Sequence, residues 1–312
     1  MVQGSDVRRR RRSALHATLA CAAALALPVF AAAGAQAPPS VDDLLARVGE
    51  RVAEFYRRAK NVVCTETSRV QPVDLDNAPL GFSRTVESEL RIETENPDVP
   101  SAAAILRTIL RVNGRSPRDS EKKDRASCTD PNPLSSEPIA FLLPGRRSEY
   151  QFQSAGVAKD RDRTALLLDF ESIDRGSNPE LIRDPEGRDD CFDWSGRIAS
   201  KGRVWVDASN YDVLRVERRL RGPVDVKVPM LIQRRHHLDP FVVIVRDEVA
   251  IRYRTVAFSD PAEVLLLPES IDTFTMVRGG LQSTRRSQTF SDYRRFVTKG
   301  KVVESNMSPQ PQ

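Results

Sequence analysis

Residues Gly202-Arg-Val-Trp-Val-Asp-Ala-Ser-Asn-Tyr-Asp-Val-Leu-Arg-Val-Glu-Arg-Arg-Leu220 decide the class of fold. Gly202 to Val206 and Tyr211 to Leu220 are rich in β-branched and aromatic residues, and they flank the turn-forming stretch Asp207-Ala-Ser-Asn210. Two such runs across a short polar turn predict an antiparallel hairpin. Working outward, Phe241, Val243, Val245, Val249, Ile251 and Tyr253 share one parity, and Arg246, Glu248, Arg252 and Arg254 share the other. A period of two with one apolar and one charged face is the mark of a half-buried strand.

The same period recurs elsewhere. Val86, Ser88, Leu90 and Ile92 alternate with Glu87, Glu89, Arg91 and Glu93, and Ile105 to Val112 ends at Asn113-Gly114, a hairpin-turn dipeptide. Glu149 to Gln153, Thr164 to Glu171, Val264 to Leu267, Ile271 to Arg278 and Leu281 to Phe296 add further strands, with Gly279-Gly280 as a turn. Ser136 to Leu143 reads as a short helix ended by Pro144-Gly145, and 115–135 and 172–192 read as polar loops. One long helix is predicted, over 41–60. Ser40 suits its N-cap, Asp42 and Asp43 its positive end, and Arg57, Arg58 and Lys60 its negative end. Val41, Leu44, Leu45, Val48, Val52, Phe55 and Ala59 give it one apolar stripe. About ten antiparallel strands behind one leading helix, with no strand–helix–strand alternation, predict a mainly β protein: a strongly curved antiparallel sheet, or half-barrel.

The first residues carry an address. Arg8 to Arg12 form a positive region, Ser13 to Phe30 an apolar run broken by Pro28, and Ala31-Ala-Ala-Gly-Ala35 a small-residue cleavage pattern. That order is the layout of a secretory signal peptide, 1–35, and it implies a periplasmic or secreted protein. Arg11-Arg12 leaves both the general and the twin-arginine export routes open. A single domain is then expected over 36–299, with a disordered tail at 300–312. Without the signal, 48 basic and 43 acidic residues become 43 and 42, so no basic excess remains to favour nucleic acid. Three cysteines remain, Cys64, Cys128 and Cys191. An exported chain with three thiols admits one disulfide. Cys128 and Cys191, in polar turn-rich segments, are the preferred pair, although other pairings among the three stay open.

The catalytic inventory is thin. Only His236 and His237 follow the signal, and on a regular strand adjacent side chains point to opposite faces, away from a common metal. Zincin, CxxC, Walker, nucleophile-elbow and dinucleotide motifs are absent from the sequence. No catalytic residue, cofactor or metal site is therefore expected. Asp169 with Glu171 and Asp189-Asp190 read as ladder or loop carboxylates. Arg234-Arg235, Arg285-Arg286 and Arg294-Arg295 admit two readings: a face meeting phospholipid headgroups or an acidic partner, or charge that protects an edge strand.

The order of these parts resembles the LolA/LolB-like lipoprotein-localisation superfamily, and stands nearer to uncharacterised secreted bacterial proteins of that fold. Gly202-Arg-Val-Trp-Val-Asp207 with Tyr211-Asp-Val-Leu-Arg-Val-Glu217, and Val264-Leu-Leu-Leu-Pro-Glu-Ser-Ile271, carry the resemblance. It implies an open half-barrel closed by helices over a hydrophobic cavity that accepts acyl chains. The chain departs from the carriers in its two polar inserts, which hold Cys128 and Cys191, and in lacking alignable gating positions. Leu90, Ile92, Trp205, Leu214, Val216, Phe241, Val243 and Val245 are the candidate cavity residues. The expected function is non-catalytic binding of a lipid or acyl chain in the cell envelope. The alternative is an envelope interaction module with a self-filled core and a protein partner.

Overall fold

Ser40 caps the leading helix as its sequence predicts: the Asp43 amide donates to Ser40 Oγ at 3.1 Å. In the computed structural model, α1 spans Val41–Arg58 and is followed by β1 (Val62–Val73), β2 (Arg84–Thr94) and β3 (Ala103–Val112). Two 3-10 turns, Ala140–Leu142 and Pro144–Glu149, lead into β4 (Tyr150–Asp160) and β5 (Arg163–Ser172). Then come β6 (Leu181–Arg183), β7 (Phe192–Trp194), β8 (Ser200–Asp207), β9 (Val213–Leu220) and β10 (Val224–Lys227). A second helix, α2 (Met230–His236), precedes the long strands β11 (Phe241–Ser259), β12 (Ala262–Arg278) and β13 (Ser283–Arg295). The structure describes residues 39–59, 61–94, 103–121, 139–173, 178–184, 191–196, 198–259 and 262–295. The signal segment, Cys128, Asp189, Asp190 and the C-terminal tail lie outside them.

Eleven strands form one antiparallel sheet in the order β3-β2-β1-β13-β12-β11-β9-β8-β5-β4, with β10 added alongside β11. Two meanders, β1–β3 and the run from β4 to β13, are joined where β1 pairs with β13. The sheet stays open between its edges β3 and β4, although these two strands are consecutive in the larger sheet along the chain. Flat, these strands would spread over roughly 48 Å at the usual spacing. Instead Leu90 of β2 and Leu168 of β5 belong to one core cluster with Leu44, Leu45, Val48 and Val52 of α1. The sheet therefore curves around the helix. This open, curved antiparallel sheet with a helix across its inner face is the mainly β half-barrel that the sequence predicts.

A second cluster lies further along the sheet, where Leu181, Val226, Ile232, Val242, Ile244 and Val277 pack together beneath α2 and the β6–β7 pair. Three local features depart from the sequence expectation. The Asn113-Gly114 turn forms, with both residues at positive φ, but the chain leaves the sheet after it. Asn113 instead ties back to β2, its side-chain oxygen accepting from the Thr85 amide at 2.7 Å. Residues 230–236 are helical, so His236 and His237 close a helix and do not lie on a strand. His237 takes the left-handed conformation at its C-terminus. Finally, β12 is one strand through Pro268, which sits at a register shift where the missing amide is tolerated.

Candidate functional site

β11 settles where the predicted cavity residues go. Its pairing with β12 shifts register between Ile244 and Arg246, and the extra residue exchanges the faces of the strand. Val249, Ile251 and Tyr253 thus pack toward α1, whereas on the near side of the bulge Val242 and Ile244 are the buried pair. Phe241 is 54% exposed, Val243 is half-buried, and Val245 packs on Val73, Phe274 and Met276 in a separate cluster. Trp205 also faces away from α1: its neighbours Val204 and Val206 are fully buried, while its own ring lies under the Arg215 guanidinium, 4.4 Å from the centroid. Leu214 is buried at a second shift, where pairing passes from Trp205–Arg215 to Val206–Val213. Leu90 and Val216 belong to the cluster under α1. Ile92 pairs with Val62 and Ile105, and its side chain lies outside the description. The eight residues do not gather around one cavity.

What fills the inner face is α1 itself. Its stripe, with Ile139 and Leu142 from the first 3-10 turn, occupies the space that the resemblance assigns to a ligand. Gly49 permits this close packing, because a methyl group there would run into the Arg147 guanidinium and approach Leu142 O at 3.3 Å. Arg147 also reaches across α1 to donate to the Leu45 carbonyl.

A cleft of about 300 Å³ lies between the second half of α1 and the sheet. Val52, Phe55, Ile139, Val213, Tyr253 and Leu265 supply its apolar walls. Phe55 meets Tyr253 edge-on at 6.2 Å. Burial, with a smaller contribution from Tyr56, raises the Tyr253 phenol well above its ordinary pKa. Among the described residues its hydroxyl has no hydrogen-bond partner. The mouth is lined by guanidinium groups. Arg51 grips Asp212 of the β8–β9 turn at 2.7 and 2.9 Å, Arg58 reaches Glu263 at 3.3 Å, and Arg163 reaches Asp207 at 3.2 Å. The first two pairs latch the helix to the β8–β9 and β11–β12 hairpins, and the third ties β5 to the end of β8.

A larger depression, about 980 Å³, opens on the other face of the sheet, where Trp205 lies. It is a ladder of paired charges. Arg203 forks onto Asp169 at 2.5 and 2.9 Å, and Arg215 pairs with Glu217. Glu171 pairs with Arg221 at 2.6 Å. Asp169 and Glu171 are therefore ladder carboxylates and not an acid–base couple. Among the described residues no group of three or more His, Cys, Asp or Glu stands close enough to hold a metal ion. Cys64 is a free, buried thiol, held near pKa 12 by burial and the neighbouring Glu66 charge. Cys191 is buried and engaged.

No family model matches the chain, and no curated protein matches it. Solved structures do. A LolA superfamily protein from Nitrosomonas europaea is 12% identical, with 83% of this chain and 95% of that one covered at a TM-score of 0.36. A putative outer membrane lipoprotein-sorting protein domain from Vibrio parahaemolyticus is 13% identical, covering 83% and 94%, with a TM-score of 0.30. A DUF1329 family protein from Desulfovibrio piger is 10% identical, covering 84% and 95%, with a TM-score of 0.39. Each is a partial likeness, at identities and TM-scores too low to transfer a ligand or a partner.

Proposed function

We propose that this chain is a non-catalytic protein of the bacterial cell envelope that holds the apolar end of an amphiphile in the cleft beneath α1. The observation that carries the reading is the cleft itself: apolar walls that include Phe55 and Tyr253, with the guanidinium groups of Arg51, Arg58 and Arg163 beside them. Ligand sites are mostly apolar with a few convergent polar groups, and about 300 Å³ is the lower end of their usual size. An acyl chain fits the walls, and a carboxylate or phosphate fits Arg51, Arg58 and Arg163 once their present partners yield. The signal-peptide layout of 1–35 supports export, and no described helix is long and apolar enough to cross a membrane. A disulfide between Cys128 and Cys191 belongs to the same reading, since export makes it stable.

Native mass spectrometry of protein purified from the bacterial envelope tests the proposal. A lipid-sized adduct is expected on the wild type and is expected to vanish in Val213→Trp, whose indole fills the cleft. An adduct retained in that variant places the ligand elsewhere, and repeated absence from the wild type rejects binding. A second reading has its own observation: α1 already fills most of the inner face, as an interaction module with a self-filled core requires. Absence of any adduct would leave that reading standing.

A further inference from the structure

Val249 packs toward α1, so Glu248 and Ala250 beside it on β11 point to the other face of the sheet. Pairing carries that parity across the neighbouring strands. Ala250 stands opposite Glu217 and Asp272, and beyond Glu217 come Arg203 and Asp169. Glu248 stands opposite Arg219 and Phe274, and beyond Arg219 come Lys201 and Glu171. Two parallel rows of side chains therefore run across the strands, and they bound the depression of about 980 Å³ on that face. It reaches from β4 to β13, seven adjacent strands, or roughly 29 Å at the usual spacing. We propose that this trench binds a neutral, linear oligosaccharide.

Not every charge in the trench is paired. Lys201, Arg219 and Asp272 make no ion pair or side-chain hydrogen bond among the described residues. Lys201 and Arg219 stand directly opposite each other, a like-charge pair that is unfavourable until an acceptor lies between them. Beside them Arg203 is held by Asp169, and Glu217 by Arg215, so their remaining donors and acceptors are fixed in direction. Ala250 leaves a gap in its row between Glu217 and Asp272. The trench thus offers donors and acceptors at intervals along its length, with Trp205 and Phe274 as apolar surface among them.

Other classes of ligand each lack something here. The described lining sets five carboxylates against six cations, so a polyanion gains little. An acyl chain needs walls that are mostly apolar, and these walls are rows of charge. An extended peptide draws its affinity from main-chain hydrogen bonds at a free sheet edge. From β5 to β13, every strand under the trench already has a neighbour on both sides. A chain of sugar rings brings its own donors and acceptors at regular spacing, carries no charge, and turns C–H faces toward aromatic rings. Each hydroxyl can accept from Lys201 or Arg219 and donate to Asp272. The trench lies on the face opposite the cleft, and its occupant is independent of the cleft's.

Titration calorimetry of the envelope-purified protein with chitohexaose, cellohexaose and maltohexaose tests it. At least one is expected to bind at millimolar concentration or below, with little change in high salt, because the ligand is uncharged. The double variant Arg219→Ala with Asp272→Ala, both exposed, should bind about tenfold or more weakly, from hydrogen bonds to charged groups no longer made. Ala250→Arg, which closes the gap in its row, should weaken binding as much by a different route. Thermal unfolding like that of the wild type is the control for folding in both. No binding of any of the three sugars by the wild type overturns the proposal, as does equal binding by wild type and variants. Binding of a heparin hexasaccharide but of no neutral hexamer, lost in high salt, also overturns it, by assigning the trench to a polyanion.

Discussion

Two parts of the inner face of the sheet are buried equally well and by opposite means. Beneath α1, strands β5, β8, β9 and β11 present Leu168, Val204, Val216 and Ile251, and the helix answers with Leu44, Val48 and Val52. Where β1, β2, β3 and β13 come together, the same face carries Glu66, Arg107, Gln288, Ser68 and Ser88, all buried. Arg107 Nε donates to Glu66 at 2.8 Å, and Gln288 donates to it at 2.6 Å. The hydroxyls of Ser68 and Ser88 have no partner among the described residues. The apolar region is held by area removed from water and tolerates small changes. In the polar region, Glu66, Arg107 and Gln288 depend on one another, because an unpaired charge at that depth costs more than the pair contributes.

The largest effect should come from splitting the ion pair. Arg107→Met is expected to lower unfolding free energy by about 3–5 kcal/mol, since it strands the Glu66 charge. Adding Glu66→Leu should recover most of that loss. A double variant no more stable than the single one in urea unfolding would erase the distinction between the two regions. Leu44→Ala, under the helix, should cost about 2–4 kcal/mol through lost transfer energy and the cavity left behind. No second-site charge change should rescue it.

A pH effect comes next, in the β8–β9 turn. Burial opposes the Asp207 charge, but hydrogen bonds from the Ser209 side chain and amide, with Arg163 nearby, outweigh it and hold the pKa below the ordinary aspartate value. A folded-state pKa below the unfolded one gives stability that is complete above the ordinary aspartate pKa, about 3.9. That stability is lost as pH falls through the depressed value. Asp207→Asn should therefore lower the neutral plateau by that contribution, leave stability below the depressed value little changed, and so flatten the acid limb. An unchanged acid limb would deny the turn this role. The smallest effect is expected at the cleft mouth. Arg51→Ala removes a pair that water partly reaches, and less than about 1 kcal/mol should be lost.

Much of the molecule was legible in its sequence, for reasons that differ by element. The cap, charge ends and stripe of α1 are local, so Ser40, Asp42, Asp43, Arg57 and Arg58 announce it without reference to anything else. Alternation announces the strands, because each was selected to have one dry side. The candidate cavity was less legible. Phe241, Val243 and Val245 share a parity with Val249 and Ile251, but one inserted residue puts them on different sides of the bulge. Trp205 reads as an inner anchor by type, and by position it belongs with Arg215 on the other face. The arginine pairs of β13 read first as edge protection, yet β13 lies between β1 and β12 inside the sheet. Edges are a property of strand order, which no single strand records.

By itself, then, the sequence determined the periodicity, the leading helix, the hairpin from Gly202 to Leu220, and the thin stock of histidines that turns attention from catalysis to binding. Only the tertiary structure decided what occupies the curve of the sheet. That outcome depends on long-range register, on two bulges, and on Gly49 letting Arg147 and the segment after Ile139 close over α1. The same apolar stripe on a helix is compatible with a roof over an empty cavity or with a plug that fills it. Distance between helix and sheet selects between them, and distance is set by residues far apart in the chain.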